Sequence, residues 1–224
     1  MANFEAKIRG MKHAYFCMLS VVGLLSLVGC SATKFVPDGQ YLLNKATVKV
    51  EDTHEVLSQD LRNYLQQKQN TEILGFWKLQ LGIYNTASQD TAKWTSRNAR
   101  KIGEPPVIFS EELTERSMQQ LENAMDNKGY FQAEIDTTKE VKDKKLNLTY
   151  HVTANTPYHI RNYTISFPNA DLQQIAASER FRLLHEGMRF DVDAMNQERQ
   201  RVASAMRRNG CYYFDKELIR FVAD

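Results

Sequence analysis

Cysteine, histidine and paired carboxylates are the side chains with which this chain could attack a substrate or hold a metal. The cysteines are Cys17, Cys30 and Cys211, and the histidines beyond residue 30 are His54, His151, His159 and His185. None of these histidines stands at metal-ligand spacing to another or to a thiol, so no metal is expected. Glu111-Glu112 and Asp191-x-Asp193 are paired acids, but each pair opens a predicted helix, where capping of backbone amides explains it better than acid-base work. Neither a nucleophile elbow nor a glycine-rich phosphate loop is present. No catalytic residue and no cofactor is therefore assigned. With 29 basic against 27 acidic residues and a net charge of +2, the chain has no concentrated basic footprint for nucleic acid.

One cysteine stands in a telling context. Residues Ala14 to Gly29 form a run without charge, preceded by Met11-Lys12-His13 and closed by Leu27-Val28-Gly29-Cys30. As a helix, these residues would span about 24 Å at ~1.5 Å each, short of a ~30 Å hydrocarbon core, which fits a cleaved signal better than a permanent span. Leu27, Gly29 and Cys30 resemble the lipobox of bacterial lipoproteins. The resemblance implies cleavage between Gly29 and Cys30, removal of residues 1–29, and acylation of Cys30 with enough lipid to anchor durably. Met11 is an alternative start to Met1. Ser31, in place of an acidic residue, leans toward the outer membrane. Cys17 falls in the signal and Cys30 is spoken for, which leaves Cys211 unpaired and read as a small structural residue.

The elements beyond the anchor show an internal repeat. Phe109-Ser110 to Lys128-Gly129 aligns without a gap on Phe190-Asp191 to Asn209-Gly210, 81 residues on. In both copies a Phe precedes an N-cap, Ser110 or Asp191, and acidic residues follow in the first turn. Apolar residues then recur at helical spacing, and a glycine suited to a left-handed C′ position ends each helix. An aromatic-bearing strand is predicted after each, at Tyr130-Phe131 and at Tyr212-Tyr213-Phe214. Period-two alternation predicts strands over Leu42–Val50, Leu146–Val152 and Ile160–Phe167. Leu57, Leu61, Tyr64 and Leu65 predict a further helix, with a shorter counterpart over Leu172–Phe181. The expected fold is α+β, with tandem β-α-α-β-β units: residues 30–40 a lipid-anchored linker, 41–154 a first domain with an insertion near 70–107, and 157–224 a second. That second unit lacks its closing strand, so the chain is expected to be truncated.

This tandem unit behind an exported N-terminus resembles the POTRA (polypeptide-transport-associated) domains of outer-membrane assembly factors. Cys30, then Phe35-Val36-Pro37-Asp38-Gly39 and Tyr41-Leu42-Leu43, then Trp94, Arg97, Arg100 and Gly103-Glu104-Pro105-Pro106-Val107, are similar to the lipid-anchored relatives of BamA and TamA known as TamL. The resemblance implies a non-enzymatic, periplasm-facing module at the outer membrane. Its sheet edges would bind unfolded outer-membrane protein clients by strand addition, or a TamB-like accessory subunit. A standalone lipoprotein adaptor that tethers another envelope protein is the alternative. Within the insertion, Ile73, Leu74, Phe76, Trp77, Leu79, Leu81, Ile83 and Tyr84 are read first as packing on their own domain and second as a surface for a partner. Lys93, Arg97, Arg100 and Lys101 are read first as a solvated face and second as contacts to lipid headgroups or an acidic partner.

Overall fold

The computed structural model describes residues 32–75, 77–88, 92–177 and 182–222. The signal segment with Met1, Met11, Leu27, Gly29, Cys30 and Ser31 lies outside the described residues, as do Phe76 and Phe181.

Three strands, β1 (Leu42–Val50), β2 (Glu134–Lys142) and β3 (Lys145–Thr153), form one sheet in the order β1-β3-β2. The centre falls to β3 because Leu146, Leu148, Tyr150 and Val152 alternate along it and are all buried, which closes one whole face. Asp143 and Lys144 join β2 to β3 with φ of 51° and 58°. Two consecutive left-handed residues make a type I′ turn, whose twist suits an antiparallel hairpin. Leu42 N donates to Lys144 O (2.9 Å) and Glu51 N to Val152 O (3.1 Å), so β1 runs parallel to β3.

The helices are α1 (Ser58–Leu61), continued by a 3₁₀ turn over Arg62–Tyr64, then α2 (Leu79–Asn85), α3 (Trp94–Ile102), α4 (Glu111–Asn127), α5 (Ala170–Ala176) and α6 (Val192–Arg208). A second 3₁₀ turn spans Lys216–Leu218. The fold is thus the mixed α+β type expected. Both repeat helices, α4 and α6, run 17 residues. Asp191 caps α6 by accepting from Ala194 N at 3.0 Å. At the other end Gly129 (φ 86°) and Gly210 (φ 97°) take left-handed conformations. The residue after each glycine donates back to its helix, Tyr130 N to Met125 O and Cys211 N to Met206 O, both at 3.0 Å. This six-to-one bond closes a Schellman motif in both copies.

Beyond each glycine the backbone departs from expectation. Tyr130-Phe131 and Tyr212-Tyr213-Phe214 are not strands, because each Schellman motif leads straight into a turn: Ala133 N donates to Tyr130 O (3.1 Å) and Phe214 N to Cys211 O (3.0 Å). The first copy becomes a strand only from Glu134. Residues 160–167 keep an alternating pattern but form no strand. At one end Ile160 exchanges backbone bonds with Met188 and Gly187, and at the other a side chain takes two groups: Phe167 N donates to Gln173 Oε1 (2.6 Å), and Gln173 Nε2 donates to Ile165 O (2.6 Å). The helix expected over Leu57–Leu65 shrinks to α1 and its 3₁₀ turn, since only Leu61 and Leu65 of its apolar residues are buried and Leu57 is 59% exposed. α5 begins at Ala170, two residues ahead of the predicted start, where Asn169 accepts from Asp171 N and Leu172 N.

The chain divides into two compact units, one of residues up to Ala46 with Gln67–Ser110 and Lys139–Leu148, the other of Thr47–Gln66, Glu111–Thr138 and Thr149 onward. In the first, Val36, Leu42 and Leu81 form a buried cluster with Ala32 and Ile108 packed against it. In the second, Ala176, Val202 and Met206 are buried together, with Leu172, Ile175, Cys211 and Phe214 around them. Cys211 is thus a packing residue in a turn. Glu198, on α6, is also buried. It pairs with Arg201 (2.7 Å), accepts from Tyr163 Oη (3.2 Å) and from Leu183 N (3.0 Å), as a buried charge requires.

Candidate strand-binding edge

A three-stranded sheet has two edges, and here they are treated differently. The outer side of β1 is capped at three amides. Leu43 N donates to Val107 O (2.8 Å), Ala46 N to Gln69 Oε1 (3.1 Å), and Val50 N to Ser58 Oγ (3.3 Å). Ile108 also bridges Leu42. Amides already bonded cannot accept a new strand.

β2 ends the sheet on the other side. The two-residue turn pairs Lys142 with Lys145, and β3 turns Lys144 O and Val152 O toward β1. Both observations fix one register. Glu134, Asp136, Thr138, Glu140 and Lys142 then bond β3, while the backbone groups of Ile135, Thr137, Lys139 and Val141 turn away from it. The second half of β2 is exposed throughout. Its side chains, Lys139, Glu140, Val141 and Lys142, include three charges, a usual device against indiscriminate edge pairing. An edge strand that turns the backbone groups of every second residue outward can bond an extended chain without reading its sequence.

Polar side chains hold the ends of the 70–107 segment together within the first unit. Gln67 Nε2 donates to Ile108 O (2.6 Å) and Gln67 Oε1 accepts from Ser110 N (3.2 Å). Asn70, buried, donates to Pro105 O (2.7 Å) and accepts from Val107 N (3.1 Å). One amide therefore pins both ends of the 70–107 segment. Lys78 donates to Asn44 O and to Asn44 Oδ1, and lies 3.7 Å from Glu72. Burial depresses the Lys78 pKa, with Glu72 offsetting part of the effect. These amides carry no periodic signal, and sequence reasoning misses them.

The apolar residues of the insertion are divided. Leu81 is core, Ile83 and Tyr84 are half-buried, and Ile73, Leu74, Trp77 and Leu79 are 43%, 78%, 51% and 48% exposed. Packing on the home domain thus accounts for part of the set only. Leu74 and Gly75, at φ 56° and 78°, make the tip of a small hairpin closed by Ile73 and Trp77.

Among the described residues, no group of three or more His, Cys, Asp or Glu side chains could hold a metal. His151 is occupied, Nδ1 at 2.7 Å from Glu51 Oε1 and Nε2 at 3.0 Å from Thr138 Oγ1. Glu111 and Glu112 lie in the first turn of α4, and Asp193 in that of α6. Asp191 also faces Arg189 (3.6 Å), whose Nη1 donates to Glu55 Oε2 (2.7 Å) and Tyr130 Oη (3.3 Å). Burial opposes the Arg189 charge, but the Tyr130 hydroxyl and the two carboxylates outweigh it and raise its pKa. This knot is structural.

Residues 46–155, which hold most of β1, the insertion, α4, β2 and β3, match the sequence model of the POTRA family, described as a surface antigen variable number repeat. This segment is thus similar to a POTRA repeat. Such repeats are scaffold and interaction modules rather than enzymes. No curated protein matches the chain. Among solved structures it is similar to Haemophilus influenzae BamA POTRA3-5, at 13% identity over 79% of this chain and 89% of that one, with a TM-score of 0.26. Among the described residues of this segment, β2 is the strand that ends the sheet opposite β1. Cys30 and Gly29, the residues assigned to lipid attachment and cleavage, lie outside the described residues.

Proposed function

We propose that this chain is the periplasm-facing, lipid-anchored N-terminal portion of an outer-membrane protein assembly or translocation factor. Cys30 carries the lipid. The exposed edge of β2 receives extended segments of unfolded outer-membrane protein clients, or of a TamB-like accessory subunit, as an added strand. The observation that carries this reading is the asymmetry of the POTRA sheet: β1 is capped by Val107, Gln69 and Ser58, whereas β2 ends the sheet. Backbone pairing suits many clients because it asks only for an extended chain, with side-chain alternation giving modest selectivity. Among the described residues no helix is long and apolar enough to cross a membrane, so attachment in this reading depends on Cys30.

The register of β2 supplies the test. Thr137 turns its N–H outward, so Thr137→Pro removes an edge donor and leaves the β3 ladder intact. The whole chain is titrated with a labelled peptide copied from one strand of an outer-membrane barrel, and amide exchange is followed at β2. Binding with protection of Thr137 and Val141, lost in Thr137→Pro, is the expected result. Binding that survives the proline unchanged, or protection elsewhere only, sinks the edge reading.

A further inference from the structure

Cys30 precedes the first described residue, Ala32, by two positions. Ala32 already packs against the Val36, Leu42 and Leu81 cluster. A chain reaches at most ~3.5 Å per residue, so Cys30 stays within about 7 Å of Ala32. Lys34 Nζ then donates to Asn85 O (3.0 Å) and Ala87 O (2.7 Å) at the end of α2. Phe35 sets its ring edge-on to Tyr84, centroids 5.5 Å apart, and the Arg100 guanidinium lies 5.3 Å from the Phe35 ring and 5.8 Å from that of Tyr84. Gly103 fastens the other end of α3: a Cβ there would meet Tyr84 N at 2.4 Å. The residues just after the anchor are therefore bound to both helices of the insertion.

α3 has an unusual outer stripe. Ser96 is its buried residue. Trp94, Arg97 and Lys101, at i, i+3 and i+7, share the opposite side. All three are exposed, Trp94 at 70%. The helix holds Arg97, Arg100 and Lys101 and no acidic residue. An exposed tryptophan beside cations is the composition that settles at a bilayer interface, the indole at headgroup depth and the cations on lipid phosphates.

Resting on acylation of Cys30, we propose that the Trp94, Arg97 and Lys101 stripe of α3 lies against the phospholipid headgroups of the membrane that holds the anchor. The lipid brings α3 to the surface and the stripe fixes which side of the insertion faces it. Contact with anionic headgroups also explains why this side combines a large exposed ring with positive charge.

The chain's two tryptophans, Trp77 and Trp94, make the test direct. The acylated whole chain carrying Trp77→Phe, with Trp94 as its sole indole, is placed in vesicles of phosphatidylethanolamine and phosphatidylglycerol with brominated acyl chains. Its mass reports acylation and its flotation reports anchoring. Strong bromine quenching of Trp94, reduced several-fold by Arg97→Glu with Lys101→Glu, is expected; the same charge reversal is also read in the chain that keeps both tryptophans. Acylated, floating protein whose Trp94 emits as in unbrominated vesicles overturns the seating and leaves the anchor standing. A mature chain without lipid overturns both.

Discussion

Glu198 is a carboxylate 1% exposed, held by Arg201, Tyr163 and Leu183 N. Burial alone would raise its pKa, but Arg201, the Leu183 amide and the Tyr163 hydroxyl together bring it below the usual 4.5. Removing one partner of a buried pair strands the other, so Glu198→Ala should cost about 3–5 kcal/mol in urea unfolding. The same shift predicts a pH dependence. A folded-state pKa below the unfolded value gives stability that is fully present above about 4.5 and fades as pH falls through the folded value. The wild-type midpoint should drop across that acid window, and the Glu198→Gln variant should show a flatter profile there. A parallel decline in both would mean that other carboxylates dominate.

At the scale of elements, the repeat copies make an internal control. Gly129 and Gly210 both sit at positive φ, yet a Cβ on Gly129 would meet Phe190 O at 2.4 Å, while Gly210 has open space around it. Both alanine variants bear the left-handed strain of about 1–2 kcal/mol. Gly129→Ala should unfold at lower denaturant than Gly210→Ala, because backbone must also move; equal midpoints would show that the Phe190 contact relaxes freely. The contrast also shows which elements are legible in the sequence. β1 and β3 are plain from period-two alternation, and α4 and α6 from cap, periodicity and glycine. β2 is the faint one, since Glu134–Lys142 is mostly polar and hides no apolar face. Residues 160–167 mislead, because alternation announces a strand only if a neighbour bonds it along its length, and here Met188 and Gly187 bond only Ile160 while Gln173 takes Ile165 O and Phe167 N.

For the whole molecule, the repeat resembles a tandem POTRA arrangement, and the family match covers residues 46–155 of it. The sequence does not reveal which sheet edge is open. That depends on Gln69, Ser58 and Val107 reaching β1, and a side-chain amide or hydroxyl looks the same in sequence whether it meets water or a strand. Among the described residues, one edge is capped and β2 ends the other, which makes the sheet a chain terminator in the polymer sense. Two copies that met through β2 would bury the reactive edge of both and present only capped strands outward. Self-association through the sheet should therefore stop at a dimer however concentrated the protein becomes, and sedimentation should reveal no higher ladder. A sheet with one capped edge is thereby kept from seeding a fibre of itself.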